Sequence, residues 1–203
     1  MLQAKQITVR NHREVLKQVS ITFECGKTYG IIGEHGAGKT TLLRALSGKA
    51  QLKSGEVQLA GQMVQDRFDE LCYFGGLHCL YPNQTGRAHV CQVQKYYHSA
   101  KRIDECLALF NLTAIADVPV RRYTLQDQHR LLMTLYFASD ANYLLLDELM
   151  NGLTNEDRLI LDKLIYRWQE AGKTLILTAH QAEALAPICH KLMMIHQKQL
   201  ITP

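Results

Sequence analysis

The stretch Gly33-Glu34-His35-Gly36-Ala37-Gly38-Lys39-Thr40 fills every position of the pattern G-x-x-x-x-G-K-[S/T]. Ahead of it, Thr28-Tyr29-Gly30-Ile31-Ile32 reads as a short buried strand; behind it, Thr41-Leu42-Leu43-Arg44-Ala45-Leu46 reads as the first turns of a helix. That strand–loop–helix frame is what gives the pattern its chemistry. The glycines let successive backbone N–H groups turn inward around phosphate oxygens, and the helix N-terminus adds partial positive charge. Lys39 is then placed to reach the terminal phosphates and the Thr40 hydroxyl to ligate Mg²⁺. Residues Gly33, Glu34, His35, Gly36, Ala37, Gly38, Lys39, Thr40 and Thr41 are therefore the expected cradle of a nucleoside triphosphate. The plainer alternative is a glycine-rich turn with an accidental lysine. Eight matched positions in the right frame outweigh it.

At 203 residues, with 47% apolar and 21% charged residues, the chain suits one α/β domain with a substantial core. The net charge of +4 is spread without a basic run, so a solvated surface accounts for it and a nucleic-acid partner is not expected. The six cysteines (25, 72, 79, 91, 106 and 189) show neither C-x-x-C nor zinc-ligand spacing. With no signal peptide in view, they are expected to be reduced thiols of a cytoplasmic protein. No apolar stretch approaches the roughly eighteen residues of a membrane span.

Outward from the loop, Leu2 to Val9 and Val15 to Phe23 suggest antiparallel strands, and residues 54–61 and 71–74 suggest two more. From Gln84 to about Ala138 the period becomes helical; Ile103, Cys106, Leu107 and Phe110 share one face. Tyr143 to Leu146 reads as a parallel strand buried on both faces, and Asn155 to Glu170 as an amphipathic helix. Lys173 to Thr178 and Lys191 to Ile195 read as the remaining strands, the latter as the last.

The strand at 143–146 ends in Asp147-Glu148. Beside a phosphate loop, this pair is expected to work on a metal–nucleotide complex: Asp147 holds Mg²⁺ and Glu148 orients or deprotonates an attacking water. Alone, the pair reads equally well as an acidic cap on the next helix. His180 follows the strand ending at Thr178-Ala179, where an open α/β sheet presents side chains to its ligand crevice. There it could donate to the γ-phosphate, although an isolated histidine is more often a surface residue.

Phosphate loop, helical insertion, Asp-Glu strand and then a strand ending in histidine: this order resembles the ATP-binding cassette (ABC) ATPases along nearly the whole chain. Gly33 to Leu43, Ser54-Gly55-Glu56-Val57, Leu80-Tyr81-Pro82, Leu144 to Glu148 and Asn151-Gly152-Leu153 strengthen the likeness. The resemblance implies an α/β P-loop NTPase fold with a mainly parallel core sheet, an N-terminal antiparallel β subdomain and an inserted α-helical subdomain. Residues 1–80 and 139–203 would form the core and β subdomain, and about 81–138 the helical part. It further implies ATP and Mg²⁺ as cofactors, Thr40 and Asp147 as metal ligands, Glu148 as catalytic glutamate and His180 as switch histidine. The implied partners are a membrane permease and a second cassette, with the chain peripheral on the inner membrane face. Apolar and aromatic residues at 77, 80, 81, 96 and 97 are candidates for the permease groove; ordinary lobe core is their other reading.

The chain also departs from the family. Where a Leu-Ser-Gly-Gly-Gln signature is expected, Tyr123-Thr124-Leu125-Gln126-Asp127 stands, and only the Thr124 hydroxyl is left as a substitute. Asp127 adds a negative charge there. Gly76 occupies the place of the glutamine that joins core to helical lobe, Leu149 replaces a proline and Thr154 an aspartate. With no aromatic near Arg10 to His12 to stack on a base, Arg10 or His12 could substitute. The losses fall on what would be offered to a partner's nucleotide. They suggest a non-identical partner cassette or slow turnover, in an exporter-type system. The alternatives are a nucleotide-gated regulatory cassette without turnover, a cassette acting on nucleic acid, and a P-loop kinase whose only lid candidates are Arg121 and Arg122.

Overall fold

The computed structural model describes residues 1–10 and 14–201. The first half of the chain contains β1 (Leu2–Arg10), β2 (Glu14–Phe23), β3 (Thr28–Ile32), α1 (Lys39–Leu46), β4 (Ser54–Leu59), β5 (Gln62–Met63) and β6 (Leu71–Cys72). Helices α2 (Gly86–Tyr97), α3 (Ile103–Leu109) and α4 (Leu125–Ser139) come next. The chain closes with β7 (Tyr143–Leu146), α5 (Asn155–Glu170), β8 (Thr174–Ala179), β9 (Lys191–His196) and β10 (Gln199–Ile201). An antiparallel sheet runs β2-β1-β4-β5, and a six-stranded sheet runs β10-β9-β3-β8-β7-β6, parallel except for β10.

Every residue of β3, β7 and β8 is buried, because both faces of this sheet are covered. Alternation decides which face each serves. Leu144, Leu146, Leu175 and Leu177 pack with Leu131, Leu135, Leu161 and Trp168 of α4 and α5. Tyr29, Ile31, Leu145 and Ile176 turn the other way, onto Leu42, Leu43 and Leu46 of α1 and the antiparallel sheet. Pairing brings Ile32 opposite Ala179 and Leu146 opposite Leu177. The segments leaving β3, β7 and β8 therefore emerge together at one edge. That edge carries the site.

Buried Asp157 ties α4 to α5. Its carboxylate accepts from Arg130 Nε at 2.6 Å, Thr154 Oγ1 at 2.8 Å and Gln126 Nε2 at 2.9 Å. Burial pushes this carboxyl up, but the Arg130 guanidinium and the two hydrogen bonds hold it below the usual range. Thr154 also caps α5.

Several expectations need correction. The strand expected over 71–74 ends at Cys72, because Phe74 N donates to the Tyr136 hydroxyl (3.2 Å) instead of a neighbouring strand. The reading of 54–61 as a short strand closed by a glycine turn holds: the strand runs to Leu59, and Ala60 (φ 52°) and Gly61 (φ 82°) turn the chain. Helix α1 starts two residues early, at Lys39. The helical period expected from 84 to 138 is borne out, as the three helices α2, α3 and α4. Strand β10 was not expected at all: its hairpin turns on Gln197 and Lys198, both with positive φ, where a sequence signal would be Asn-Gly. Among the described residues, no helix is long and apolar enough to cross a membrane.

Candidate functional site

Gly38 closes the loop at φ 112°, and a Cβ there would lie 3.1 Å from Val15 Cγ1 and 3.3 Å from Leu16 Cδ2. Only glycine fits. Helix α1 begins immediately afterwards, with no side-chain cap and no acidic residue in its first turn. Its first N–H groups and positive dipole end are thus left facing the loop. Lys39 folds its side chain back over that loop. The side chain is 4% exposed, and its ammonium donates to the carbonyls of Gly33 (2.7 Å) and Glu34 (3.1 Å). The Glu34 and His35 side chains are exposed, as is Thr40, while Thr41 is half-buried. A cavity of about 620 Å³ opens over the loop, walled by Val15, His35, His180, Met194 and Lys198 among others.

The carboxylates meet the loop from β7. Glu148 Oε1 lies 3.2 Å from Lys39 Nζ, and Oε2 lies 3.2 Å from His180 Nε2 and 3.1 Å from Asn151 Nδ2. Lys39 Nζ also lies 3.4 Å from His180 Nδ1. An ammonium only donates, so Nδ1 accepts and the proton sits on Nε2, which donates to Glu148. The Glu148 backbone is left-handed (φ 49°), a costly conformation for a side-chain-bearing residue, and its N–H donates to Thr178 Oγ1 at 2.9 Å. Asp147 is held at both oxygens: Thr178 Oγ1 donates to Oδ1 (2.9 Å) and Tyr73 OH to Oδ2 (3.2 Å). Burial, and then the Asp147 charge, push the Tyr73 phenol far above its ordinary range, so it stays a neutral donor.

The residues singled out in the loop, at 147–148 and at 180 are therefore brought to one place. Tyr73, Thr178 and Asn151 were missed. Thr178 had a signal, since it lies near the end of the strand that delivers His180 to the crevice. Tyr73 had none: it is 74 residues away from its partner.

The group set fits a magnesium–triphosphate complex. An uncapped helix N-terminus behind a glycine loop suits phosphate, and the Thr40 hydroxyl with two carboxylates gives the hard oxygen donors that Mg²⁺ prefers.

The other candidates fare differently. Thr124 caps α4, accepting from Asp127 N (3.1 Å), while Asp127 Oδ2 accepts from Thr124 N (3.1 Å) and Thr124 Oγ1 (2.7 Å). The hydroxyl left as a substitute donor is thus consumed locally, which corrects that expectation. Leu125 beside it is 63% exposed. Arg10 lies away from the loop cavity, lining a smaller one with Arg44 and Gln51, and His12 falls outside the described residues. At the junction of core and helices, a cavity of about 280 Å³ is lined by Phe68, Phe74, Val93, Tyr96 and Tyr97. Leu77 and Leu80, also expected at that surface, pack into the core, and Tyr81 stacks on His89 (ring centroids 5.8 Å).

A glycine loop after one parallel strand, with a histidine delivered by the end of the adjacent β8 and carboxylates by the end of β7 beyond it, defines a P-loop nucleotide-binding protein. Comparison with known proteins narrows the class: residues 16–151 match the family model described as ABC transporter, and the chain belongs to that family of ATP-binding proteins. It is 29% identical to the uncharacterized ABC transporter ATP-binding protein YcbN of Bacillus subtilis, over 93% of this chain and 64% of that protein. It thus spans less than two thirds of that relative. Similarity to the cytochrome c biogenesis ATP-binding export protein CcmA of Tatumella citrea reaches 31%, over 89% of each chain. The fold is shared with the ATP-binding cassette MJ0796, solved as a dimer in a post-hydrolysis state bound to ADP and Pi. The TM-score is 0.87 at 18% identity, covering 98% of this chain and 96% of that one.

Proposed function

We propose that this chain binds and hydrolyses Mg·ATP and couples that cycle to a membrane permease, in an exporter-type system. The observation that carries the reading is the contact of Lys39, Glu148 and His180 at the mouth of the phosphate loop. In this reading Gly33 to Thr41 cradle the phosphates and Lys39 leaves Glu148 for the terminal phosphate. Glu148, released, orients and deprotonates the attacking water, and His180 turns its Nε2–H to the γ-phosphate. Thr40 and Asp147 would hold the cation, whose charge would offset that of the phosphoryl oxygens. The name of the Tatumella relative supports the export direction.

The permease contact is proposed at the aromatic cavity of Phe68, Phe74, Tyr96 and Tyr97, where an amphipathic helix of the partner would insert its apolar face. The chain would then sit peripherally on the inner face of the membrane. The second cassette is proposed to be a different protein. Helix α4 presents Leu125 and a self-capped Asp127 where a facing nucleotide would need free N–H donors, so two copies of this chain would complete each other's sites poorly. The same observation favours, as a second reading, a cassette that holds ATP and gates assembly without turnover. Phosphate release by the purified chain, alone and with a candidate partner cassette, separates these. Activation by the partner, abolished by Glu148→Gln in this chain, is expected. Brisk hydrolysis by the chain alone refutes the unequal pair, and nucleotide retention with no release in either case refutes hydrolysis.

A further inference from the structure

We infer that Tyr73 is a positioning residue for Asp147, and that its hydroxyl sets the metal-dependent part of nucleotide affinity. The inference rests on the proposed metal role of Asp147 and deepens it. Tyr73 is 3% exposed and lies just beyond the end of β6, the strand paired with β7. Its hydroxyl reaches across to Asp147 Oδ2 at 3.2 Å, while Thr178 holds Oδ1 at 2.9 Å. A carboxylate oxygen held by one donor keeps a lone pair for a cation, and the two donors together fix the plane of the group. The protein itself thus fixes the orientation of Asp147.

The tyrosine is itself held. Lys49 Nζ donates to the Tyr73 carbonyl at 2.6 Å and lies 5.5 Å from the ring centroid. Two glycines follow, Gly75 and Gly76, both in positive-φ conformations and neither able to offer a side chain to a metal. In this segment Tyr73 therefore reaches the metal-binding carboxylate in a way that the glycines cannot. Tyr73 and Phe74 also line both the aromatic cavity at the helical junction and a small cavity shared with Thr40 and His78. The residue that orients Asp147 stands at the point where the proposed permease surface and the nucleotide site adjoin.

The test is a binding measurement with the whole chain. A fluorescent ATP analogue is titrated into the parent, Tyr73→Phe, Asp147→Asn and the double variant, each with Mg²⁺ and with EDTA. Tyr73→Phe keeps the ring and its packing. Its affinity in EDTA is expected to match the parent, while the gain on adding Mg²⁺ shrinks by about tenfold or more. In the Asp147→Asn background the tyrosine change should add nothing, because the group it positions is gone. A purely structural role would weaken binding equally with and without the metal and would persist in the double variant. An undiminished Mg²⁺ gain in Tyr73→Phe overturns the inference while leaving the metal reading intact. No Mg²⁺ gain in the parent overturns both.

Discussion

Replacing Glu148 by glutamine removes one negative charge from the mouth of the phosphate loop while keeping the shape of the side chain. This carboxylate lies 3.2 Å from the Lys39 ammonium. At an effective dielectric constant of about 20, the attraction at that distance is about 5 kcal/mol. Most of it is offset by desolvation, since Lys39 is 4% exposed and Glu148 28%. A terminal phosphate must take the ammonium from Glu148 and then lie beside the displaced carboxylate. Neutralising that group removes both the competing partner and the like charge. We take the net effect as about 1–2 kcal/mol, or about 5–30-fold tighter nucleotide binding. Turnover should fall by about 10²–10⁴, the ordinary contribution of a positioned general base. Calorimetry gives the affinity and phosphate release in the presence of a partner cassette gives the rate. Unchanged affinity together with undiminished hydrolysis would show that Glu148 neither competes for Lys39 nor acts on water.

Gly38→Ala places a methyl group 3.1 Å from Val15 at φ 112°, so a loss of stability of about 1–3 kcal/mol and of nucleotide binding is expected in melting and titration experiments. Retention of both would mean that the loop relaxes freely. Arg130→Met strands the buried Asp157 carboxylate and should cost about 3–5 kcal/mol in urea denaturation at neutral pH; a loss below about 1 kcal/mol refutes the clamp. The pH dependence follows from the lowered Asp157 value. A carboxyl held below its unfolded range stabilises the protein above about pH 4, and that contribution disappears as pH falls through the folded value. The gap between parent and Arg130→Met should accordingly narrow on acidification, and a constant gap would assign the loss to packing alone.

Legibility in the sequence followed the range of the interactions. The strands at 28–32 and 143–146 and the helix at 155–170 have the bounds that their apolar runs and turn residues indicate. The phosphate loop was readable because its chemistry is contiguous. The convergence of Asp147, Glu148 and His180 on the loop was readable from their places at strand ends. The hold on Asp147 was not, because it joins residues 31 and 74 positions apart through sheet order alone. Strand β10 escaped because its turn is made by Gln197 and Lys198, residues that give no turn signal. The Thr124 cap is legible as well, because a threonine followed three residues later by a carboxylate is a capping pattern that uses the hydroxyl locally.

Everything assigned to this chain depends on a triphosphate entering the loop and taking Lys39. Isothermal titration of ATP with Mg²⁺ into the purified chain, beside Lys39→Ala, tests this most directly. Saturable binding of one nucleotide per chain is expected, weakened at least about tenfold by the substitution, the scale of a charge-assisted bond. Absence of ATP or GTP binding by the parent, or equal binding by Lys39→Ala, contradicts it.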